Sequence, residues 1–148
     1  MKKIYSLIAV LLLAVLLSIS VACTDDRENI FGENDSMRLV IAYEDEPEEI
    51  TLELDGLSRD ISLIELLDAK EITYTASDGF LYSVKDFAPD SKKGEYIYIY
   101  TSVEADFDVS EYVQSIEYDS LTLKSSGLGA DEMHIENGCI VYIGSIQW

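Results

Sequence analysis

Apolar and polar residues alternate most regularly over residues 95–102, where the sequence reads EYIYIYTS. Such alternation is typical of a β-strand, because successive side chains point to opposite faces of a sheet. The pattern places Tyr96, Tyr98 and Tyr100 on one face and the isoleucines between them on the other. Shorter runs of the same kind predict further strands at 37–43, 50–54, 72–76, 80–84, 112–118, 121–124 and 139–146.

A single segment has the pattern of a helix. Ser62 and Glu65 have the spacing of a capping box, in which the two side chains satisfy free N–H groups of the first turn. The apolar face that follows predicts a helix over 62–69 and consists of Leu63, Ile64, Leu66 and Leu67. Many short strands with one helix predict an α+β fold, a mixed sheet with one short helix packed on one face. The order strand, strand, helix, then strands is that of a β-grasp-like fold.

The first 23 residues follow a different pattern. Lys2 and Lys3 precede an apolar run over 4–19, and the tetrapeptide SVAC follows at 20–23, as in a secretory signal. The cysteine in this position resembles the lipobox of bacterial lipoproteins. That resemblance implies cleavage after Ala22 and a thioether-linked lipid on Cys23. The alternative is an uncleaved transmembrane anchor, since the apolar run is nearly long enough to span a bilayer.

These patterns divide the chain into three parts. Residues 1–22 are predicted to be a lipoprotein signal peptide, and the polar segment 23–36 a flexible acidic tether. Residues 37–148 are predicted to form one domain, with no internal repeat. The expected location is the extracytoplasmic face of the cell membrane, where the lipid on Cys23 makes the membrane a partner.

The net charge and the cysteine content limit the partners and the chemistry that the protein can have. The 148-residue chain has 29 acidic and 10 basic residues, a formal net charge of −19. This charge argues against nucleic acid as a partner and against binding to anionic lipid through basic patches. If Cys23 carries lipid, Cys139 has no partner for an internal disulfide. Cys139 lies in an apolar run, which predicts a buried, unreactive thiol.

Four stretches of the sequence follow one another in the order found in a known family: SLIELL at 62–67, DGFLYSV at 78–84, GEYIYIY at 94–100, and the segment 129–143. Together they resemble the transcobalamin-like C-terminal domain family, a family of unknown function in bacterial surface lipoproteins. The resemblance covers 37–148 and implies a β-grasp-like α+β domain. In vertebrate cobalamin carriers the related domain covers one side of the corrinoid. Here the central strand lacks the tryptophan often seen in the family, and cysteine replaces the acid that commonly follows the closing glycine, so no cobalamin site is carried over.

Catalytic and metal chemistry have weak support in the sequence. His134 is the single histidine, and a thiol–imidazole pair with Cys139 would need an orienting third group. Asp106, Asp108 and Glu111 offer oxygen ligands of the kind that Ca²⁺ prefers, but without the glycine and spacing of an EF-hand loop. We therefore predict no catalytic residue, no cofactor and no metal site.

The candidate binding residues are aromatic: Phe80, Tyr82, Tyr96, Tyr98 and Tyr100. On a sheet face left free by the helix they would form an amphipathic platform for a ligand. Alternatively, they pack as ordinary core. The predicted function is a non-catalytic, lipid-anchored binding module for a small molecule or an envelope protein. The alternative function is a structural or accessory envelope lipoprotein that acts only through protein contacts.

Overall fold

The structure is a computed structural model that describes residues 29–43 and 46–147. The predicted signal peptide and the lipidation site at Cys23 lie outside these residues. The described part contains one α-helix, α1 (Leu63–Ala69), and eight strands: β1 (Ser36–Ala42), β2 (Pro47–Glu53), β3 (Tyr74–Ser77), β4 (Phe80–Val84), β5 (Glu95–Thr101), β6 (Ser115–Tyr118), β7 (Leu121–Ser125) and β8 (Ile140–Gln147).

Six strands form one mixed sheet in the order β2-β1-β8-β5-β7-β6. The neighbours β1 and β8 are parallel, and all other neighbouring strands of the sheet are antiparallel. The remaining strands, β3 and β4, form a separate two-stranded hairpin. This arrangement confirms the predicted α+β class and its mixed sheet, and adds a hairpin that stands apart from the sheet.

The helix packs on one face of the large sheet, as predicted. Leu63, Leu66 and Leu67 are fully buried in a cluster that includes Leu39 from β1 and Val141 from β8. The predicted capping box is present. Ser62 Oγ accepts a hydrogen bond from the Glu65 N–H at 3.3 Å, and the Ser62 N–H donates to Glu65 Oε2 at 2.9 Å. The bond from the Ser62 backbone lowers the pKa of Glu65, because it stabilises the ionised carboxylate.

The packed part of the chain begins earlier than the sequence indicated. Phe31 is only 2 % exposed within the main core, and its N–H donates to the Leu57 carbonyl at 2.8 Å. Residues 29–36 of the segment predicted as a tether therefore belong to the domain. The second strand also starts earlier, at Pro47, which opens an edge strand where a missing N–H is tolerated.

The opposite face of the sheet carries a layer of tyrosines. Tyr98, Tyr100 and Tyr142 pack edge to face, with ring centroids 5.3 and 6.1 Å apart, and Tyr118 lies 5.4 Å from Tyr142. The expected separation of tyrosines and isoleucines on β5 is confirmed, because Ile97 and Ile99 pack against the helix-side core. Edge-to-face packing is the geometry that aromatic quadrupoles favour.

The β6–β7 hairpin curls across this tyrosine layer and reaches the far edge of the sheet. Tyr118 Oη donates to Glu49 Oε2 of β2 at 2.8 Å, and Arg38 Nη1 of β1 lies 2.7 Å from Asp119 Oδ2. The face opposite the helix is thus covered by the chain's own hairpin. A free tyrosine platform on that face, one of the two sequence interpretations, is wrong for Tyr100.

In the described residues, no helix has the length and the apolar character that crossing a membrane requires.

Candidate functional site: the groove between β4 and β5

Strand β5 is fully paired on only one of its edges. It pairs with β8 along its whole length, but with β7 only at Tyr100 and Thr101. Beside its unpaired part lie β4 and the loop that follows β7, which leaves two open cavities of about 380 Å³ each. Both cavities are lined by Phe80, Leu81 and Ile97, and we call them together the β4–β5 groove.

The β3–β4 hairpin is held beside β5 by contact between two glycines. Asp78 and Gly79 form its turn with φ of 51° and 79°, the left-handed backbone that a two-residue hairpin turn requires. The Ala130 N–H donates to the Gly79 carbonyl at 2.8 Å. A Cβ on Gly129 would lie 3.1 Å from the Gly79 Cα and 2.7 Å from Asp131 Oδ1. A side chain at Gly129 would therefore push the hairpin away from its neighbour.

We expect Gly129→Ala to lower the free energy of unfolding by about 1–3 kcal/mol, the usual cost of overpacking a close contact. Urea unfolding of the two proteins measures the difference. Gly32→Ala is the matched control, because its added Cβ would meet its nearest atom at 3.7 Å, an ordinary contact distance. Equal losses in both variants would contradict the proposed contact between hairpin and loop.

Three of the five predicted aromatic residues meet at the rim of the groove. Phe80, Tyr82 and Tyr96 are 70 %, 52 % and 45 % exposed and line the same cavity. Tyr98 lines the other cavity and also packs in the tyrosine layer. Tyr100 is 6 % exposed and does not line the groove, so its candidacy as a ligand contact is corrected.

The side chains around the groove make it negative. Asp78, Asp131 and Glu132 line the cavity next to Gly129, and Glu95 lines the other cavity. No lysine or arginine is among the lining residues of either cavity. An exposed aromatic surface bordered by carboxylates can hold an amphipathic ligand and favours one with positive charge.

Several lining residues were not proposed as ligand contacts from the sequence: Leu81, Pro89, Ile97, Gly127, Leu128, Gly129, Ala130 and Asp131. They come from β4, the loop that follows it, β5 and the segment after β7, which meet only in the folded chain. The glycines at 127 and 129 and the Asp-Gly sequence before Phe80 are local turn signals, but nothing in the pattern shows which strand each turn contacts.

Away from the groove, His134 and Asp106 form a structural pair. The Asp106 side chain is fully buried, its Oδ1 lies 2.5 Å from His134 Nδ1, and its Oδ2 accepts the His134 N–H at 2.8 Å. The carboxylate thus ties the loop before β8 to the short 3-10 turn Glu104–Asp106. Burial raises the pKa of the Cys139 thiol to about 11, and the thiol is buried as expected. At neutral pH a thiol with this pKa is a poor nucleophile.

The pairing of Asp106 with His134 also bears on the candidate calcium ligands Asp106, Asp108 and Glu111. Asp106 is engaged with His134, while the Asp108 carboxylate accepts hydrogen bonds from the N–H and the hydroxyl of Ser110. Over residues 29–43 and 46–147, no group of three metal-ligating side chains comes together.

The hydrogen bond with Asp106 raises the pKa of His134. The folded state therefore binds the proton of His134 more tightly than the unfolded chain does, in which the pKa of the histidine is ~6.5. The contribution of protonated His134 to the free energy of unfolding is complete below that pKa and is lost as the pH rises through the raised pKa of the folded state. We expect urea midpoints of the natural chain to fall over this interval, while those of His134→Asn stay flatter. Parallel pH profiles for the two proteins would contradict the pairing.

Comparisons with known proteins find a solved structure with a similar fold, but no matching family. No family model matches the chain, and no curated protein matches it. The structure resembles a crystal structure from Ruminococcus gnavus, solved at 1.30 Å and described as a "putative metal binding protein". The likeness has a TM-score of 0.53 at 12 % identity, and it covers 78 % of this chain and 99 % of that one. At this identity the likeness extends to the fold alone.

Proposed function

We propose that this protein is a non-catalytic binding module whose ligand site is the β4–β5 groove. The observation that carries the proposal is the meeting of Phe80, Tyr82 and Tyr96, three exposed aromatic side chains, around one concave surface. Isolated exposed aromatic residues are common, but aromatic side chains gathered at a cavity are typical of ligand and partner sites. The acidic lining adds a preference for ligands with a positively charged part.

The sheet order supports the finer fold and family proposals. A parallel pair of neighbouring strands (β1 and β8), an N-terminal hairpin and one helix on a single face are compatible with a β-grasp-like domain. We therefore keep the likeness to transcobalamin-like C-terminal domains as a proposal. It makes aromatic vitamins and corrinoids reasonable first compounds for a binding screen.

We further propose that Cys23 carries a lipid that tethers the domain to the outer side of the membrane. The support is the order of a charged start, an apolar run and a cysteine after small residues. Mass spectrometry of the protein from its native membrane tests it. A mature amino terminus at Cys23 with a diacylglycerol mass is expected, and an unmodified Cys23 behind an intact leader would contradict it.

Thermal shift of the full chain in detergent tests the groove. The panel contains corrinoids, aromatic vitamins, cationic amphipathic compounds and, because of the neighbour's description, Ca²⁺ and Zn²⁺. A compound that binds the folded state raises the melting temperature by mass action. We expect at least one organic cation or vitamin to do so, and a screen without any shift would contradict the proposal.

Two variants locate the binding. Tyr82→Ala removes a wall of the groove, whereas Tyr112→Ala removes an equally large tyrosine that is 71 % exposed and lies outside the groove. We expect the shift to disappear in the first variant and to persist in the second. A shift of equal size in both would move the site elsewhere on the surface.

A further inference from the structure

The two ends of the large sheet belong to different parts of the chain. At one end β1 and β8 begin while β2 and β5 end, as the register of these four strands requires. Strand β5 begins at the opposite end, where Glu95 pairs with Gln147. The seven residues of β5 span about 20 Å at ~3.3 Å per residue, which is the distance between the two ends.

The first described residues lie at the end where β1 begins. The Phe31 N–H and carbonyl are both bonded to the loop that follows β2, through the Leu57 carbonyl at 2.8 Å and the Gly56 N–H at 3.3 Å. In the same loop, the Arg59 N–H donates to the Asn29 carbonyl at 2.9 Å. These contacts fix the start of the domain beside the end of β2. We call the surface formed here the amino-terminal surface, and it comprises residues 29–33 and 55–60.

The aromatic rim of the groove lies at the other end of the sheet. Tyr96 is the second residue of β5, and Phe80 and Tyr82 line the same cavity. Strand β4 also ends there, because Lys85, the residue after it, forms an ion pair with Glu48 near the start of β2. The rim and the amino-terminal surface are therefore separated by about the length of β5.

We propose that the amino-terminal surface faces the membrane and that the aromatic rim faces away from it, so that the groove takes its ligand from the aqueous side. This inference rests on the proposed lipid at Cys23 and on the proposed ligand site. Asn29 lies six positions after Cys23, and six residues of fully extended chain bridge at most ~22 Å. The headgroup layer of a bilayer is ~5–7 Å thick and takes up part of this length. At most about 15 Å then remains between the headgroups and Asn29.

The reverse orientation needs a longer connection than the chain provides. With the aromatic rim against the headgroups, Asn29 would lie about 20 Å above them, the length of β5. That height exceeds the reach of the chain from Cys23, even in full extension. A domain lying on its side would bring more of its surface near the headgroups. The formal net charge of −19 opposes such contact with an anionic membrane.

Energy transfer from the protein to the membrane tests the orientation. The lipidated protein is reconstituted in vesicles of phosphatidylcholine and phosphatidylglycerol that contain a lipid with a dye on its headgroup. Donor dyes are placed at Ser58→Cys on the amino-terminal surface or at Lys92→Cys beside the start of β5, and both positions are exposed. Cys139 is only 5 % exposed and burial raises the pKa of its thiol, so the introduced cysteine takes the dye.

We expect severalfold stronger energy transfer from position 58 than from position 92. Ile30→Cys, at a second exposed position on the amino-terminal surface, should behave like Ser58→Cys. Equal transfer from the two ends of the sheet, or stronger transfer from position 92, would overturn the proposal.

A longer connection tests the cause of the orientation. A flexible Gly-Ser insertion of about 20 residues after Thr24 adds a root-mean-square length of ~25 Å, which lets the domain turn over. We expect the difference in energy transfer between the two positions to shrink. A difference that keeps its size would mean that surface contacts, rather than the short connection, orient the domain, and it would equally overturn the proposal.

The results also separate this inference from the proposals on which it rests. Mass spectrometry that finds no lipid on Cys23 would overturn the lipid anchor and the orientation together. Lipid on Cys23 with equal energy transfer from both positions would overturn the orientation alone. Neither result changes the thermal shift produced by a groove ligand, which reports on binding alone.

Discussion

Replacing Leu66 with alanine is expected to lower the free energy of unfolding by about 2–5 kcal/mol. Leu66 lies at the centre of the helix face and is fully buried. The seven-residue helix is too short to be stable on its own, so its contact with the sheet supplies most of its stability. Removal of the side chain leaves a cavity between the helix and the central strands.

Urea unfolding followed by circular dichroism measures the loss. Leu121→Ala is the matched control, because that leucine is 47 % exposed at the start of β7 and should change stability by less than about 0.5 kcal/mol. If both variants lost the same stability, the helix would not be the element that closes the core.

The second large effect is a difference in stability between the alanine variants of Tyr100 and Tyr96, which lie four residues apart on β5. We expect Tyr100→Ala to cost about 3–5 kcal/mol, as for other buried aromatic residues. Burial also raises the pKa of Tyr100, and its Oη lies 3.4 Å from Gln114 Oε1. Tyr96→Ala should cost much less, because Tyr96 is 45 % exposed on the rim of the groove.

The same pair distinguishes stability from binding. Tyr96→Ala should abolish the thermal shift produced by a groove ligand while keeping most of the stability of the natural chain. Comparable stability losses in the two variants would mean that the tyrosines act as one layer, and that the groove is not a separate surface.

Local patterns in the sequence predicted the local elements well. The capping box at Ser62 and Glu65 placed the helix, and the alternation over β5 placed its two faces, because both signals involve residues close together in the chain. The packing of Phe31 was missed for the opposite reason. Its surroundings are polar and acidic, and its burial depends on contacts with residues beyond position 50.

The candidate site was predicted in part. Exposed aromatic residues on β4 and β5 were identified, but they were expected on one shared sheet. In the structure β4 belongs to a separate hairpin, positioned by the contact between Gly79 and Gly129. Tyr100 is buried because the β6–β7 hairpin covers its face, with Leu123 of β7 in the same buried cluster. This packing joins separate segments of the chain, and no periodicity encodes it.

The most direct test is a crystal structure of the chain with the compound that raises its melting temperature most. The account predicts density along β5 in contact with Phe80, Tyr82 and Tyr96. Density on another surface, with the β4–β5 groove left empty, would contradict it.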